Sequence, residues 1–174
     1  IIADSGNVKI GVPTITTTLR GLVDGIIEVD QPMRPIHSGV GGGVVPDAFM
    51  VLSRIISSFH DDKGNLMIEG LTSTDMKVTE LEESFLKKML GSDDITLFDT
   101  ESISKRLWLE PALDVLAIDA PPVKEAVNLV IPKARAKVSL RLPPTEDPDH
   151  AMKMLEEHIM KNIPWNASVK FIPN

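Results

Sequence analysis

The first regular pattern along the chain is an alternation of apolar and acidic positions that ends at residue 30. The segment from Thr14 is rich in β-branched residues, and its last part places Val23, Ile27 and Val29 between Asp24, Glu28 and Asp30. A period of two is typical of a strand with one buried face. We therefore predict a strand over residues 14–30 whose exposed face is acidic.

Two later segments have the spacing of amphipathic helices. The first begins near Pro46 and carries an apolar stripe of Phe49, Leu52, Ile56 and Phe59. The second begins at Asp147-Pro148, a capping residue followed by a proline at the first helical position, and ends before Pro164. Its inward side chains are predicted to be Ala151, Met154, Leu155, His158 and Ile159. Both segments should pack one face against a sheet.

Three further strands are predicted, at about residues 113–118, 135–142 and 169–172. In the middle one, Val138, Leu140 and Leu142 alternate with Arg135, Lys137, Ser139 and Arg141. The polar side is expected to remain an open sheet face. Residues of about 60–111 are less regular, and we interpret them as an insertion with helices near 75–90 and 101–109.

Without this insertion, the order is strand, helix, strand, strand, helix, strand. That order predicts an α+β fold of the ferredoxin-like split βαβ type, a four-stranded antiparallel sheet with two helices on one face. The edge strands would be the second and the fourth, at about 112–118 and 167–173. An uncovered edge favours pairing with another chain.

Composition narrows the classes of partner. The chain has 174 residues with 43% hydrophobic residues, enough for one domain with a core. Its net charge is −7 and its 18 Lys and Arg are scattered, so we expect no nucleic-acid partner. No apolar run approaches the roughly 20 residues of a membrane span, so no membrane partner is expected either. The absence of Cys fits a reducing cytosol and equally any other compartment, and we expect a cytoplasmic location. The chain opens at Ile1 rather than Met, which indicates a start within a larger protein.

Residues with catalytic chemistry are few. The four His include no pair at i, i+4 spacing and Cys is absent, so no metal site closes within this chain. Ser38 follows His37, but no nucleophile-elbow pattern surrounds it, which disfavours a serine hydrolase.

The most informative segment is the glycine-rich run from His37 to Gly43. It is either a flexible turn or a set of donors that binds an oxyanion or carboxylate near a helix N-terminus. Arg141 is likewise either a solvated strand residue or a guanidinium that clamps a substrate carboxylate. Spacing alone favours the ordinary interpretation of both.

Several motifs resemble a known family in their order and spacing. They are Ala3-Asp4-Ser5, Gly11 to Pro13, Thr14 to Gly21, His37-Ser38-Gly39 with Gly42-Gly43, and Gly64-Asn65. Together they resemble the zinc metallopeptidases that include carnosinase, glutamate carboxypeptidase and succinyl-diaminopimelate desuccinylase. Later segments resemble the bacterial dipeptidase branch: Ile118 to Pro121, Asn128 to Pro132 and Arg135 to Leu142. The sequence departs from the family at Gly41, where a bulky aromatic is common, and at Asn166, where Gly is common.

The resemblance implies a division of the chain and a role for four residues. Residues 1–13 would be a lead-in from a catalytic domain, and 14–174 a ferredoxin-like lid and dimerisation domain. Asp4 matches one ligand of a two-metal zinc site that the catalytic domain completes. His37 matches a lid His that contacts the oxyanion in the partner subunit's active site, Arg141 matches an Arg that holds the substrate carboxylate, and Asn128 matches a further polar substrate contact.

The implied partners are a second copy of the chain, the catalytic domain of the same polypeptide, and a dipeptide or acyl amino acid substrate. The chain alone is expected to hydrolyse nothing, because one carboxylate ligand cannot bind and activate a metal. Two alternatives remain open at this point. One is a free-standing ferredoxin-like sensor of small molecules, and the other is an interaction module of an inactive homologue.

Overall fold

A computed structural model describes residues 11, 13 and 15–174. In chain order its elements are β1 (Gly21–Asp30), β2 (Ile36–His37), α1 (Ser38–Gly41), α2 (Ala48–Ser57), α3 (Glu83–Leu90), α4 (Ile103–Trp108), β3 (Ala112–Asp119), β4 (Leu129–Val130), β5 (Lys133–Leu142), α5 (Pro148–Lys161) and β6 (Val169–Pro173). Four strands form one antiparallel sheet in the order β3-β5-β1-β6. The predicted α+β, ferredoxin-like class is confirmed, and β3 and β6 are the edge strands as expected.

The core lies between one face of this sheet and the helices α2 and α5. Alternate residues of β1 and β5 are buried on this face, as the period of two predicts. Burial of one large aliphatic side chain contributes roughly 1.5–3 kcal/mol, so this layer accounts for most of the favourable free energy of folding. The largest fully buried side chains include Ile27, Leu52, Ile55, Phe59, Leu140, Leu142, Leu155 and Ile159.

The strand predicted over residues 14–30 is shorter than the sequence indicated. β1 begins at Gly21, and residues 15–20 lie outside any strand. The reason is on the neighbouring strand, because Gly21 pairs with Leu142 and the next residue there is Pro143. Proline has no N–H to donate to a ladder, so the pairing stops at this point. Residue 14 itself lies outside the described residues.

Both core helices form where the sequence predicted, with one correction to the first. α2 starts at Ala48 rather than near Pro46, because Asp47 is its cap and accepts from the N–H of Phe49 at 2.9 Å. The fully buried positions are Ala48, Val51, Leu52 and Ile55, whereas Phe49 and Ile56 of the predicted stripe are only partly buried. α5 begins at Pro148 behind its predicted cap Asp147.

The departure at Asn166 has a conformational explanation. Trp165 and Asn166 have φ of 55° and 53°, in the left-handed region. Glycine occupies this region at little cost and Asn is among the side chains that tolerate it best. Asn166 is therefore compatible with the turn between α5 and β6.

The insertion differs from its prediction in its first half. The helix expected over residues 75–90 is present only as α3, and residues 75–82 form no helix. Backbone groups in this stretch bind Ser104 at the start of α4 instead. The N–H of Leu81 donates to Ser104 Oγ at 2.8 Å, and that hydroxyl donates to Thr79 O at 2.9 Å. These contacts satisfy the backbone without helical hydrogen bonds.

Arg106 joins parts of the insertion to one another, and Glu146 fastens the insertion to the rest of the chain. Arg106 stacks on the ring of Phe98 and donates to the carbonyl of Gly64. Glu146 accepts from the backbone N–H of Thr72 at 2.7 Å and from its hydroxyl. Gly64 is required here, since its φ is +77° and an added Cβ would lie 2.4 Å from the Phe98 ring. No described helix is long and apolar enough to span a bilayer.

Candidate functional site

His37 lies at the N-terminus of α1, on an exposed arm of the molecule that consists of β2, α1 and β4. Its Nδ1 accepts a hydrogen bond from the N–H of Gly39 at 3.0 Å. In a neutral imidazole one nitrogen accepts and the other donates, so this bond assigns the proton to Nε2. Within the described residues, no other hydrogen bond occupies the ring. His37 therefore presents an unpaired N–H donor to whatever docks on this arm.

Asn128 is brought to the same arm by a small second sheet. β2 and β4 pair antiparallel, with His37 opposite Leu129, and the carbonyl of Asn128 accepts from the N–H of Ser38 at 2.9 Å. The side chain of Asn128 is exposed and has no partner among the described residues. His37 and Asn128 are thus neighbours in the structure, although 91 positions separate them in sequence.

Asp47 anchors this arm to the core. One carboxylate oxygen caps α2, and the other accepts from the N–H of Ile131 at 3.2 Å, just after β4. The N–H of Ala48 donates in turn to Ile131 O at 2.9 Å. The arm that carries His37 is therefore bonded to the end of a core helix.

The surroundings of Gly41 are tightly packed. It is buried inside α1, and an added Cβ would lie 2.6 Å from the side chain of Ile36. The positive φ that only glycine adopts easily occurs at Gly43 instead. A glycine at position 41 is thus what allows the short turn of α1 to sit directly on β2.

Arg141 lies on the open face near the other end of β5, between Leu22 of β1 and Ala112 of β3. It is exposed, and no described residue forms a hydrogen bond or ion pair with its guanidinium. By contrast, Arg135 on the same face is paired with Asp119. The pKa of Arg20 is lowered, mainly by burial and secondly by the positive charge of Arg141. The negative charge of Asp114 acts in the opposite direction. A carboxylate at Arg141 would meet an unpaired cation.

The structure does not bring Arg141 together with His37 and Asn128 in one chain. Arg141 pairs with Leu22, and the arm begins beyond Asp30 at the opposite end of β1. Eight residues of strand at about 3.3 Å each place roughly 26 Å between these ends. The described chain also enters the sheet at Gly21 and leaves it at Pro173, which pairs with Gly25.

The predicted metal ligand Asp4 lies outside the described residues. Within residues 11, 13 and 15–174, no group of three or more His, Asp, Glu or Cys side chains is arranged to hold a metal ion.

A cavity of about 500 Å³ separates the insertion from the start of β3. It is lined mainly by apolar side chains, with Arg20, His60, Arg106 and Asp114 at its polar positions. The pKa of His60 is lowered, mainly by burial and secondly by the positive charge of the nearby Arg106. His37, Asn128 and Arg141 do not line this cavity, although Arg20 and Ala112 of its lining are neighbours of Arg141.

Two residues with long-range contacts near the predicted site residues were not singled out from the sequence. Asp47 stands directly before a helix and is a preferred cap type, so a search for caps finds its first role. Its bond to Ile131 leaves no sequence signal, because 84 positions separate the two residues. Arg20 binds carbonyls about 90 residues away, and no local pattern indicates such a contact.

Comparison with known proteins identifies relatives of the whole described fold. Residues 17–167 match the sequence model of the peptidase dimerisation domain. A cysteinylglycine-S-conjugate dipeptidase of Corynebacterium striatum is 38% identical over 97% of this chain and 38% of its own length. A Cys-Gly metallodipeptidase of Saccharomyces cerevisiae is 27% identical over 84% of this chain and 33% of its own. The chain thus spans between a third and two fifths of these curated relatives.

Solved structures agree on the fold. The dipeptidase Dug1p of Saccharomyces cerevisiae superposes with a TM-score of 0.75 at 24% identity, over 93% of this chain and 36% of that one. Human carnosine dipeptidase 1 superposes with a TM-score of 0.75 at 23% identity, over 98% of this chain and 39% of that one. In both, a segment of a much longer chain has the arrangement described above.

Proposed function

Because the chain belongs to the peptidase dimerisation domain family, we propose that it is the lid and dimerisation domain of a two-metal dipeptidase or related amidohydrolase. The observation that carries this proposal is the separation of two unpaired functional groups at opposite ends of one sheet. His37 presents a donor on the arm beyond one end of the sheet, and Arg141 presents a cation near the other end. The two groups suit two parts of a peptide substrate, the scissile carbonyl and the terminal carboxylate.

The chemistry assigned to His37 is stabilisation of an oxyanion. When a nucleophile attacks a peptide carbonyl, negative charge develops on its oxygen, and a preorganised donor lowers the barrier. The Gly39 N–H holds the ring through Nδ1, so Nε2 is directed by a fixed contact before substrate arrives. Asn128 supplies an amide beside it for a further polar contact with the substrate.

The geometry favours action of His37 across a dimer. A flanking catalytic domain would join the sheet at its Arg141 end, where the described chain enters the sheet and towards which β6 runs. The arm that carries His37 starts beyond the opposite end of β1, roughly 26 Å along the strand from Leu22. Arg141 therefore serves the active site of its own subunit, and His37 with Asn128 serves that of the partner.

The edge strand β3 is the proposed dimer contact. Leu116 and Ile118 on this edge are 58% and 54% exposed, which is unusual for apolar residues of a sheet. The other edge, β6, carries Lys170 and Pro173, which disfavour pairing with another strand. A dimer through β3 would cover this apolar edge and present the arms of the two copies to each other's catalytic domains.

The remaining components lie outside the described residues or outside this chain. We propose zinc at the catalytic centre, with Asp4 as one ligand, on the resemblance of that segment alone. The substrate would be a dipeptide, and S-substituted cysteinylglycine is a suitable first probe because a relative is named for it. A cytoplasmic location remains a prediction from composition.

The proposal is tested by steady-state kinetics of the full-length protein. His37→Ala should lower kcat by roughly a hundred- to a thousandfold, the usual effect of losing one oxyanion donor. Arg141→Met should mainly raise KM, because a carboxylate contact is made in the ground state too. Ser38→Ala is the matched control and should leave both constants within about twofold. Loss of activity in Ser38→Ala together with normal kcat in His37→Ala would overturn the proposal.

A further inference from the structure

Arg20 ties the end of the insertion to the start of the sheet. Its Nη1 donates to Leu107 O at 2.5 Å and its Nη2 to Glu110 O at 3.0 Å. These carbonyls lie in the last turn of α4 and just beyond it, where helix carbonyls lack intrahelical partners and the helix dipole is negative. The Nε of Arg20 is buried without a partner among the described residues. Arg20 is thus partly desolvated and has no free edge for a substrate.

Arg141 is the neighbouring guanidinium. It pairs with Leu22, two residues after Arg20, and with Ala112, two residues after Glu110. The acceptors that Arg20 occupies are therefore within the region that Arg141 also faces. Asp114, which attracts Arg20, lies two residues further along the same edge strand. Nevertheless, Arg141 is left without any described partner.

We propose that Arg20 is a positioning residue that keeps Arg141 available for the substrate carboxylate, by occupying the carbonyls of Leu107 and Glu110. With Arg20 in place, those acceptors are satisfied and a second cation is repelled from them. Without it, Arg141 turns towards the vacated carbonyls and Asp114, and the carboxylate must compete for it. This inference rests on the proposed role of Arg141 and concerns substrate binding rather than the chemical step.

The kinetic test compares two arginines that both donate to backbone carbonyls of the insertion, in the full-length protein with S-substituted cysteinylglycine. Arg20→Met should raise KM by about tenfold with kcat within about twofold, because only a ground-state contact is weakened. Arg20→Lys retains a cation and donors and should restore most of the loss. Arg106→Met is the matched control. Arg106 donates to Gly64 O and Asp99 O, has no described contact with Arg141, and should leave KM unchanged.

A chemical readout separates this role from a merely structural one. Arg141 should react readily with phenylglyoxal, as followed by peptide mass mapping, and should react several-fold more slowly in Arg20→Met because it gains carbonyl partners. A loosened insertion would instead expose Arg141 and speed the reaction. Arg20→Gln, which lacks the charge but keeps a donor, should slow it in the same way and serves if Arg20→Met does not fold.

The outcomes distinguish this inference from the proposed function. An unchanged KM in Arg141→Met would overturn the carboxylate role of Arg141. A raised KM in Arg141→Met with a normal KM in Arg20→Met would overturn the inference alone. Equal increases of KM in Arg20→Met and Arg106→Met, or faster labelling of Arg141 in the Arg20 variants, would also overturn it.

Discussion

Glu146 is a buried anchor between the insertion and the core, and its replacement by Gln provides a quantitative test. Its side chain is 2% exposed. One oxygen accepts from the N–H of Thr72 at 2.7 Å and from its hydroxyl, and the other is 2.7 Å from Nδ1 of His150. Burial raises the pKa of Glu146, but hydrogen bonds from His150 and Thr72 outweigh it and leave the pKa below its ordinary 4.5.

The expected cost follows from these contacts. A hydrogen bond to a charged acceptor contributes about 1.5–3 kcal/mol, against about 0.5–1.5 kcal/mol for a neutral one. Gln keeps one carbonyl acceptor for Thr72 but loses the charge and presents an amide towards His150. Glu146→Gln should therefore lower the free energy of unfolding by about 1–3 kcal/mol near neutral pH.

The pH dependence has a definite sign. The folded pKa lies below the unfolded one, so the ionised carboxylate stabilises the fold above about 4.5, and this contribution is lost as pH falls through the folded value. The difference between wild type and Glu146→Gln should then close in acid. Urea unfolding, followed by circular dichroism at neutral and at acid pH, measures this difference in unfolding free energy. Glu157→Gln is the control, since the Glu157 side chain is 59% exposed beside Lys153. A difference below about 0.5 kcal/mol at neutral pH, or one that persists in acid, would refute the reasoning.

Two further predictions concern the sheet. Val115→Pro on β3 should give monomers by light scattering and retain the helical circular dichroism signal, because proline removes a strand donor. The control Lys170→Pro on β6 should leave the dimer intact. A Val115→Pro variant that remains dimeric would contradict the β3 interface. Gly25→Ala should destabilise the fold by about 1–3 kcal/mol, since its Cβ would lie 2.5 Å from the Phe171 ring. In the same urea assay, the control Gly21→Ala should cost much less, because its Cβ would lie 3.2 Å from Leu142. Equal losses of unfolding free energy in the two variants would contradict this packing.

The sheet and its two helices were predictable because local pattern and tertiary packing agree there. β5 alternates as its buried face requires, and α5 starts behind the cap Asp147 that the sequence displays. The start of β1 was not predictable from its own residues, because it is set by Pro143 on a distant strand. The missing first half of the helix at 75–90 has a similar cause, since Ser104 binds its backbone from another segment.

The candidate site follows the same division. From their spacing in the sequence alone, His37 and Arg141 are interpreted as ordinary surface residues. Their proposed roles come only from the family resemblance. The structure adds what sequence could not show: the β2–β4 ladder that joins Asn128 to the His37 arm, and the bond of Asp47 to Ile131 that anchors it. Both contacts join segments more than 80 positions apart, so neither leaves a local pattern.

The most direct test of the central claim is complementation between two inactive full-length variants, His37→Ala and Asp4→Ala. If His37 acts on the partner subunit's active site, a heterodimer contains one site with both an intact His37 and an intact Asp4, from different chains. Random mixing makes half of the dimers heterodimers with one such site in two, so activity should return to about a quarter of wild type. A mixture that forms heterodimers, by mass spectrometry of the native complex, yet stays as inactive as its parents would contradict the cross-subunit role.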